Sequence, residues 1–312
     1  MIHKSGWGNI EGVWATLLTS VRSNGTVDLD VIDNQVRAYA EAGCDGVYCG
    51  GTASEIHSMT DSQVREVSTR FAAAARRVGI PFQIGATHPL ANEELARIAF
   101  AATLEPLAIQ IILPDWTSLD LKSAIRFLIK AAEAAEGVPL VLYNPPHAKT
   151  VLSPTQLFAA TEAVSALIGL KCGGGGADWY RDMAPVLERL SVFIPGHHYA
   201  SGTSAGAHGS YSNMACLSPS AAVAWKRLPA DAALDMEFRI AAFMEDGIVP
   251  MINRGLPGYA CDKAMAAAGG WTLIDARLMW PQSGATEDDL NRIARAARRH
   301  IPEFANRGDK DG

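Results

Sequence analysis

The sequence predicts a (β/α)₈ barrel with a C-terminal helical domain. Eight short, mostly apolar runs alternate with longer alanine-rich stretches of helical period. The runs are apolar on both faces, as parallel strands covered by helices must be. The rival open, doubly wound sheet lacks its glycine fingerprint: no Gly-x-Gly-x-x-Gly follows the first run, where Gly12 stands alone. Length does not decide between one domain and two, because barrels of about 250 residues fold as one unit. Of the 312 residues, 48% are hydrophobic and 19% charged, a balance suited to a large core.

The first run, Ile10–Leu17, leads to a helix over Asp30–Ala42 that Gly43 would end in the left-handed region. Gly46–Gly50 comes next, then a helix over Asp61–Val78 opened by Thr60-Asp61-Ser62-Gln63, a capping-box pattern, and stopped by Gly79. Phe82–Ala86 precedes a helix over Asn92–Leu104. Ala108–Leu113 precedes one over Leu121–Glu136, with Gly137 at its end. Pro139–Tyr143 is followed by Pro154–Ala163, where Ser153 caps and Pro154 takes the first helical position. Ala166–Lys171 leads to Asp178–Leu190, Ser191–Pro195 to a short helical segment near Ala200–Ala205, and Gly209–Asn213 is the eighth run.

Residues 1–218 are therefore assigned to the barrel and 219–312 to the helical domain. Ser218-Pro219-Ser220 opens a helical region through about Met244, followed by patterns at Pro257–Ala268 and Glu287–His300. The acidic start and basic end of the last suit a helix macrodipole. Residues 306–312 read as a frayed polar end.

A net charge of −6 without a basic cluster argues against nucleic acid as a partner. No apolar run approaches the ~18 residues of a membrane span, and Met1–Trp7 lacks the layout of a signal peptide. Five cysteines, an odd number with no C-x-x-C pair, read as buried small hydrophobes in a reducing compartment, so a cytoplasmic enzyme is expected.

In a barrel, chemistry collects where strands end and βα loops begin. Lys171 closes the apolar run Ala166-Leu167-Ile168-Gly169-Leu170-Lys171. A lysine held in an apolar site has a lowered pKa and attacks carbonyls to form a Schiff base; a lysine just past the strand would instead reach solvent. Tyr143 ends the preceding strand, where a phenol can pass protons to a carbinolamine or simply pack. Gly50-Gly51-Thr52 offers backbone N–H groups and a hydroxyl to a carboxylate, or is only a tight turn. Gly173–Gly176 follows the sixth run and is weak evidence for phosphate binding.

At these places the sequence resembles the dihydrodipicolinate synthase/N-acetylneuraminate lyase family of Schiff-base aldolases. Gly50-Gly51-Thr52-Ala53-Ser54-Glu55, Tyr143-Asn144-Pro145-Pro146 and Ile168-Gly169-Leu170-Lys171 occur in the family's order and spacing, and Gly12–Thr19 and Gly206–Asn213 also match. The resemblance implies that a 2-oxo acid condenses with Lys171, that Tyr143 is the acid/base, and that Thr52 with neighbouring amides (Gly51, Ala53) holds the carboxylate. It further implies a homotetramer of two tight dimers, with no metal and no organic cofactor.

Departures from the pattern point away from lysine biosynthesis. Ala53 replaces a hydroxyl residue, and Ser54, in place of the usual glycine, is the substitute candidate. Asp115-Trp116 lies where the synthase branch carries a tyrosine, and His147-Ala148-Lys149 where it carries an arginine. His197 and His198 fall where the family's lyase branches select the distal end of their substrate, with His88 and His147 as further donors, which favours a polar, sugar-derived 2-keto-3-deoxy acid, unless they are satisfied structural histidines; Tyr211, at the end of the eighth run, is a further substrate-binding candidate. The reading is thus a 2-oxo acid lyase, an aldolase or a dehydratase. The alternatives are a non-catalytic 2-oxo acid binding protein and, last, a metal-dependent barrel hydrolase.

Overall fold

The computed structural model describes residues 10–305; the expectations for Met1–Trp7 and for 306–312 fall outside them. Eight parallel strands close into one barrel in chain order: β1 (Gly12–Thr16), β2 (Gly46–Cys49), β3 (Phe82–Gly85), β4 (Ala108–Ile111), β5 (Leu140–Asn144), β6 (Leu167–Cys172), β7 (Ser191–Pro195) and β8 (Gly209–Tyr211). β8 pairs with β1, so no sheet edge is left open. Seven helices connect them: α1 (Asp30–Ala42), α2 (Asp61–Val78), α3 (Ala91–Ala102), α4 (Leu121–Ala134), α5 (Pro154–Ala163), α6 (Ala177–Leu187) and α7 (Tyr199–Ser204).

Local signals act where the sequence places them. Thr60 and Ser153 each form a complete capping box, with Gln63 and Gln156 reaching back. Gly43 and Gly79 end their helices in the left-handed region, at φ 81° and 71°. Gly137 is also left-handed, but α4 has ended before it, with Ala135 as its C-cap.

Beyond β8 the chain is helical: α8 (Met214–Leu217), α9 (Pro219–Lys226), α10 (Ala230–Phe243), a π-turn over Met244–Ile248, α11 (Val249–Asn253), α12 (Gly258–Gly269) and α13 (Glu287–His300). The single helical region expected through Met244 is two helices. Pro229 breaks it, because proline offers no N–H and turns the preceding residue away from helical angles. The apolar core runs from the barrel into these helices through residues such as Phe243, Met265 and Phe304.

The barrel interior is unusually aromatic. Trp14, Tyr48, Phe193 and Tyr211 form a buried cluster with Ile10, Ala108, Val141 and Ile168. Trp14 meets Phe193 at 6.5 Å and 89°, and Tyr48 meets Tyr211 at 4.7 Å and 77°, both edge-to-face arrangements that ring quadrupoles favour. Trp14 has room because β2 presents Gly46 opposite it: a Cβ there would lie 2.6 Å from the indole.

One buried ion pair ties the two parts together. Glu55, just after the Thr52 turn, and Lys263 of α12 are each 1% exposed, and the ammonium donates to the Glu55 carboxylate. Lys263 also donates to the Arg277 carbonyl at 2.6 Å, and the Met279 N–H donates to the other Glu55 oxygen at 2.7 Å. Glu55 adopts φ 55°, a left-handed backbone that a non-glycine residue holds only when its surroundings enforce it. Removing one partner strands a buried charge, so Lys263→Met is expected to destabilise the protein by about 3–5 kcal/mol in urea denaturation. The double variant Glu55→Gln/Lys263→Met should lose less than Lys263→Met alone; an equal or larger loss would contradict this account of the pair.

Candidate functional site

At the C-terminal end of the barrel lies a cavity of about 590 Å³, lined on its other side by residues of the C-terminal helices. Register brings its central groups together: Tyr143 of β5 and Lys171 of β6 are paired positions on adjacent strands, and both are half-buried. The Lys171 ammonium sits 4.3 Å from the centre of the Tyr143 ring, 4.9 Å from Tyr48 and 5.1 Å from Tyr211. It donates a hydrogen bond to the Tyr48 hydroxyl at 3.1 Å. Burial lowers its pKa to about 8, although the Asp262 carboxylate opposes the shift. A free-amine fraction is therefore present near neutral pH, which nucleophilic attack requires.

The surrounding phenols stay protonated. Burial pushes Tyr143 up to about 12, with Asp262 adding to the effect, and Tyr48 and Tyr211 are raised further by burial. Tyr211 donates to the Gln83 side chain at 2.6 Å, which fixes its ring inside the barrel. Tyr143 makes no hydrogen bond among the described residues, so its hydroxyl is free to serve a ligand.

Beside Tyr143, residues Thr52–Ser54 form one 3-10 turn whose first internal bond runs from the Ser54 N–H to the Gly51 carbonyl at 3.1 Å. The amides of Thr52 and Ala53 precede that bond and are open to an anionic ligand. Gly50 makes the turn possible: it holds φ 72°, and a Cβ there would lie 2.5 Å from the Gly85 carbonyl.

Lys171, Tyr143, Thr52, Ala53, His197 and Tyr211 thus line one cavity. Gly51 instead lines a smaller neighbouring cavity of about 310 Å³, which shares Thr52 and Tyr143 with the first. Two expected contacts are corrected. Ser54 is 1% exposed, its hydroxyl donates to the Leu17 carbonyl at 2.6 Å and its backbone carbonyl accepts from the Thr19 hydroxyl, so it braces the turn from below and does not stand in for the hydroxyl absent at Ala53. His198 is exposed and turns toward Glu237, away from the cavity.

His197 is held by Asn213. The Asn213 side-chain oxygen accepts from the His197 backbone N–H at 3.0 Å, which leaves its NH₂ to donate to Nδ1 at 2.9 Å. That places the ring hydrogen on Nε2. Burial lowers the imidazole to about 4, reinforced by His198, so it is a neutral donor at physiological pH. His147 stands at the cavity rim, whereas His88 is outside, accepting from the Leu90 N–H at 3.1 Å. Trp116 is 71% exposed, and its carbonyl accepts from Lys149 at 2.6 Å. Among the described residues no group of three or more His, Cys, Asp or Glu side chains is placed to hold a metal ion.

Sequence reasoning missed Tyr48 and Asp262. Tyr48 lies unremarked within the run Gly46–Gly50; its signal was its inward position two residues before Gly50. Asp262 lines the cavity from α12, and its signal was an Asp-Lys pair inside an otherwise small and apolar helix. Also unforeseen is the apolar distal wall made by Ile194, Met244, Ile248, Ile252, Pro257 and Met265.

Residues 9–231 match the profile of the dihydrodipicolinate synthetase family. An uncharacterised DapA-like lyase of Halobacterium salinarum is 24% identical, over 67% of this chain and 69% of that protein. A trans-o-hydroxybenzylidenepyruvate hydratase-aldolase of Pseudomonas putida is 26% identical, over 58% of this chain and 57% of that one. Among solved structures, a prophage protein of the dihydrodipicolinic acid synthase family from E. coli K12, in complex with pyruvate, superposes with a TM-score of 0.81. It is 17% identical, and the match covers 93% of this chain and 98% of that one. The sialic acid aldolase of Ruminococcus gnavus gives 0.80 at 17% identity, over 94% and 97%. These two likenesses are of fold.

Proposed function

From a chain that belongs to the dihydrodipicolinate synthetase family, we propose a Schiff-base lyase that acts on a 2-oxo acid through Lys171. The observation that carries this reading is the Lys171 amine, half-buried in the cavity, lowered to about 8 and ringed by three protonated tyrosines. The amine adds to the 2-oxo carbon, and Tyr143, whose ring centre lies nearest Nζ and whose hydroxyl has no partner among the described residues, gives a proton to the carbinolamine oxygen as water leaves. The resulting iminium withdraws electrons from the neighbouring carbon, so a bond at the next position can break. Thr52 and the amides of Thr52 and Ala53 receive the carboxylate.

The distal wall indicates the rest of the substrate. It is apolar, and Lys171 is the one lysine or arginine among the described lining residues, so a second carboxylate would meet no cation there. The neutral His197 Nε2–H supplies a single donor. An apolar or aromatic substituent on a 4-hydroxy-2-oxo acid fits this lining better than a polyhydroxylated chain. The hydratase-aldolase relative, named for a benzylidenepyruvate, supports the same direction. The reading includes a homotetramer of two tight dimers, in which the exposed Trp116 would be covered, and a cytoplasmic setting that suits five unpaired, buried thiols.

Borohydride added with pyruvate should leave one reduced pyruvate on Lys171, found by peptide mass, and Lys171→Ala should carry none. Absence of an adduct on the wild-type chain, or its survival in Lys171→Ala, rejects the mechanism. Because attack needs the free amine, the trapping rate should fall as pH drops through about 8. Tyr143→Phe should still bind pyruvate, with imine formation slowed by about 100-fold in stopped-flow or quench measurements.

A further inference from the structure

We infer that Asp262 is the acid/base group for the substrate's carbon chain, moving one proton between the 4-oxygen and C3 while Lys171 holds C2 as the iminium. This rests on the imine reading above and adds a residue from outside the barrel strands.

Geometry carries it. Asp262 is the single carboxylate among the described residues lining the cavity, and it enters from α12, above the strands that present Lys171 and Tyr143. Its position is imposed: the next residue, Lys263, is locked to Glu55, and α12 packs on the Thr52–Ser54 turn. Yet the Asp262 carboxylate forms no hydrogen bond and no ion pair among the described residues, unlike Glu55, Asp45 and Asp289, which all have partners. It and Lys171 line the same cavity and act on one another electrostatically without ion-pair contact.

Its chemical surroundings leave the role to it. Tyr48, Tyr143 and Tyr211, and the thiols of Cys172, Cys216 and Cys261, are all pushed upward by burial and remain protonated. His197 is neutral, with Nδ1 occupied by Asn213. His147, at the rim, and Tyr259 of α12 also line the cavity, and Asp289 of α13 is engaged by Arg254 and Arg292. Asp262 itself is raised by burial to about 7, restrained by Lys171, so both of its forms are populated near neutral pH, as a proton carrier requires.

The step balances. The Asp262 carboxylate takes the proton from the 4-hydroxyl, the O–H pair becomes the aldehyde C=O, and the C3–C4 pair moves into C2=C3 as the iminium becomes an enamine. After the aldehyde leaves, protonated Asp262 returns the proton to C3. Water then releases pyruvate and the Lys171 amine.

Pyruvate alone tests it, because the last carbon step run backwards exchanges the methyl protons. In D₂O the wild type should exchange them, followed by NMR. Asp262→Asn should exchange at least about 100-fold more slowly while still forming the borohydride adduct on Lys171. Without the nearby anion, the midpoint of the variant's trapping profile should move below about 8. Asp262→Glu should recover part of the exchange. Exchange by Asp262→Asn within about threefold of wild type overturns the inference, as does a normally folded Asp262→Asn that forms no adduct at any pH. A wild type that forms no adduct overturns instead the imine reading beneath it. If Asp262→Asn does not fold, the wild-type profiles decide: exchange should rise with a midpoint near 7 that trapping lacks, and coincident profiles count against Asp262.

Discussion

The buried contact between Glu55 and Lys263 sets the geometry of the whole site. Glu55 ends the turn that presents Thr52 and Ala53, and Lys263 follows Asp262 on α12. A charge pair with both members 1% exposed has costly alternatives, since any slip leaves an uncompensated charge in the core. The barrel and the C-terminal helices are thereby held in one register, and the cavity between them has a defined height. A cover held only by apolar contacts would tolerate sliding; this one does not.

Beneath that cover, the barrel turns burial into reactivity. Lys171 is desolvated by aromatic rings, which lowers its pKa, while the ring faces and the Tyr48 hydroxyl keep the remaining charged form tolerable. The result is an amine near its titration point. The same desolvation acts in the opposite sense on Asp262 and on the tyrosines, raising each of them. Burial within one cavity thus separates a nucleophile, a set of protonated phenols and a carboxylate poised to exchange its proton.

Periodicity and punctuation made the fold legible. Strands and helices follow from apolar runs, capping boxes and glycine stops, and α1, α2, α5 and α13 have the boundaries that pattern alone suggests. Lys171 and Tyr143 were legible because they terminate strands, a position whose direction in a barrel is known in advance. What escaped depends on side-chain direction within a turn or a distant helix. Ser54 sits in the motif but points down to the Leu17 carbonyl, and His198, although its ring stays 4.2 Å from that of His197, lies outside the cavity lining and beside Glu237. Tyr48 belongs to the core, and its hydroxyl alone reaches the amine. Asp262 lies 91 positions from Lys171, and no local pattern connects them.

The π-turn at Met244–Ile248 bears on how this sequence can vary. A π-turn takes up one more residue than the α-helical repeat, so it accommodates extra chain without shifting the elements on either side. Further along, α12 has no such slack. Each residue of an α-helix advances about 100°, and the neighbours Asp262 and Lys263 must face two different environments. An insertion or deletion inside the first turn of α12 would carry one of them out of place, whereas the stretch before it can absorb a change of length. The segment over this cavity is therefore fixed in phase, and related sequences that keep the fold should show their gaps before Gly258 and not between Gly258 and Lys263.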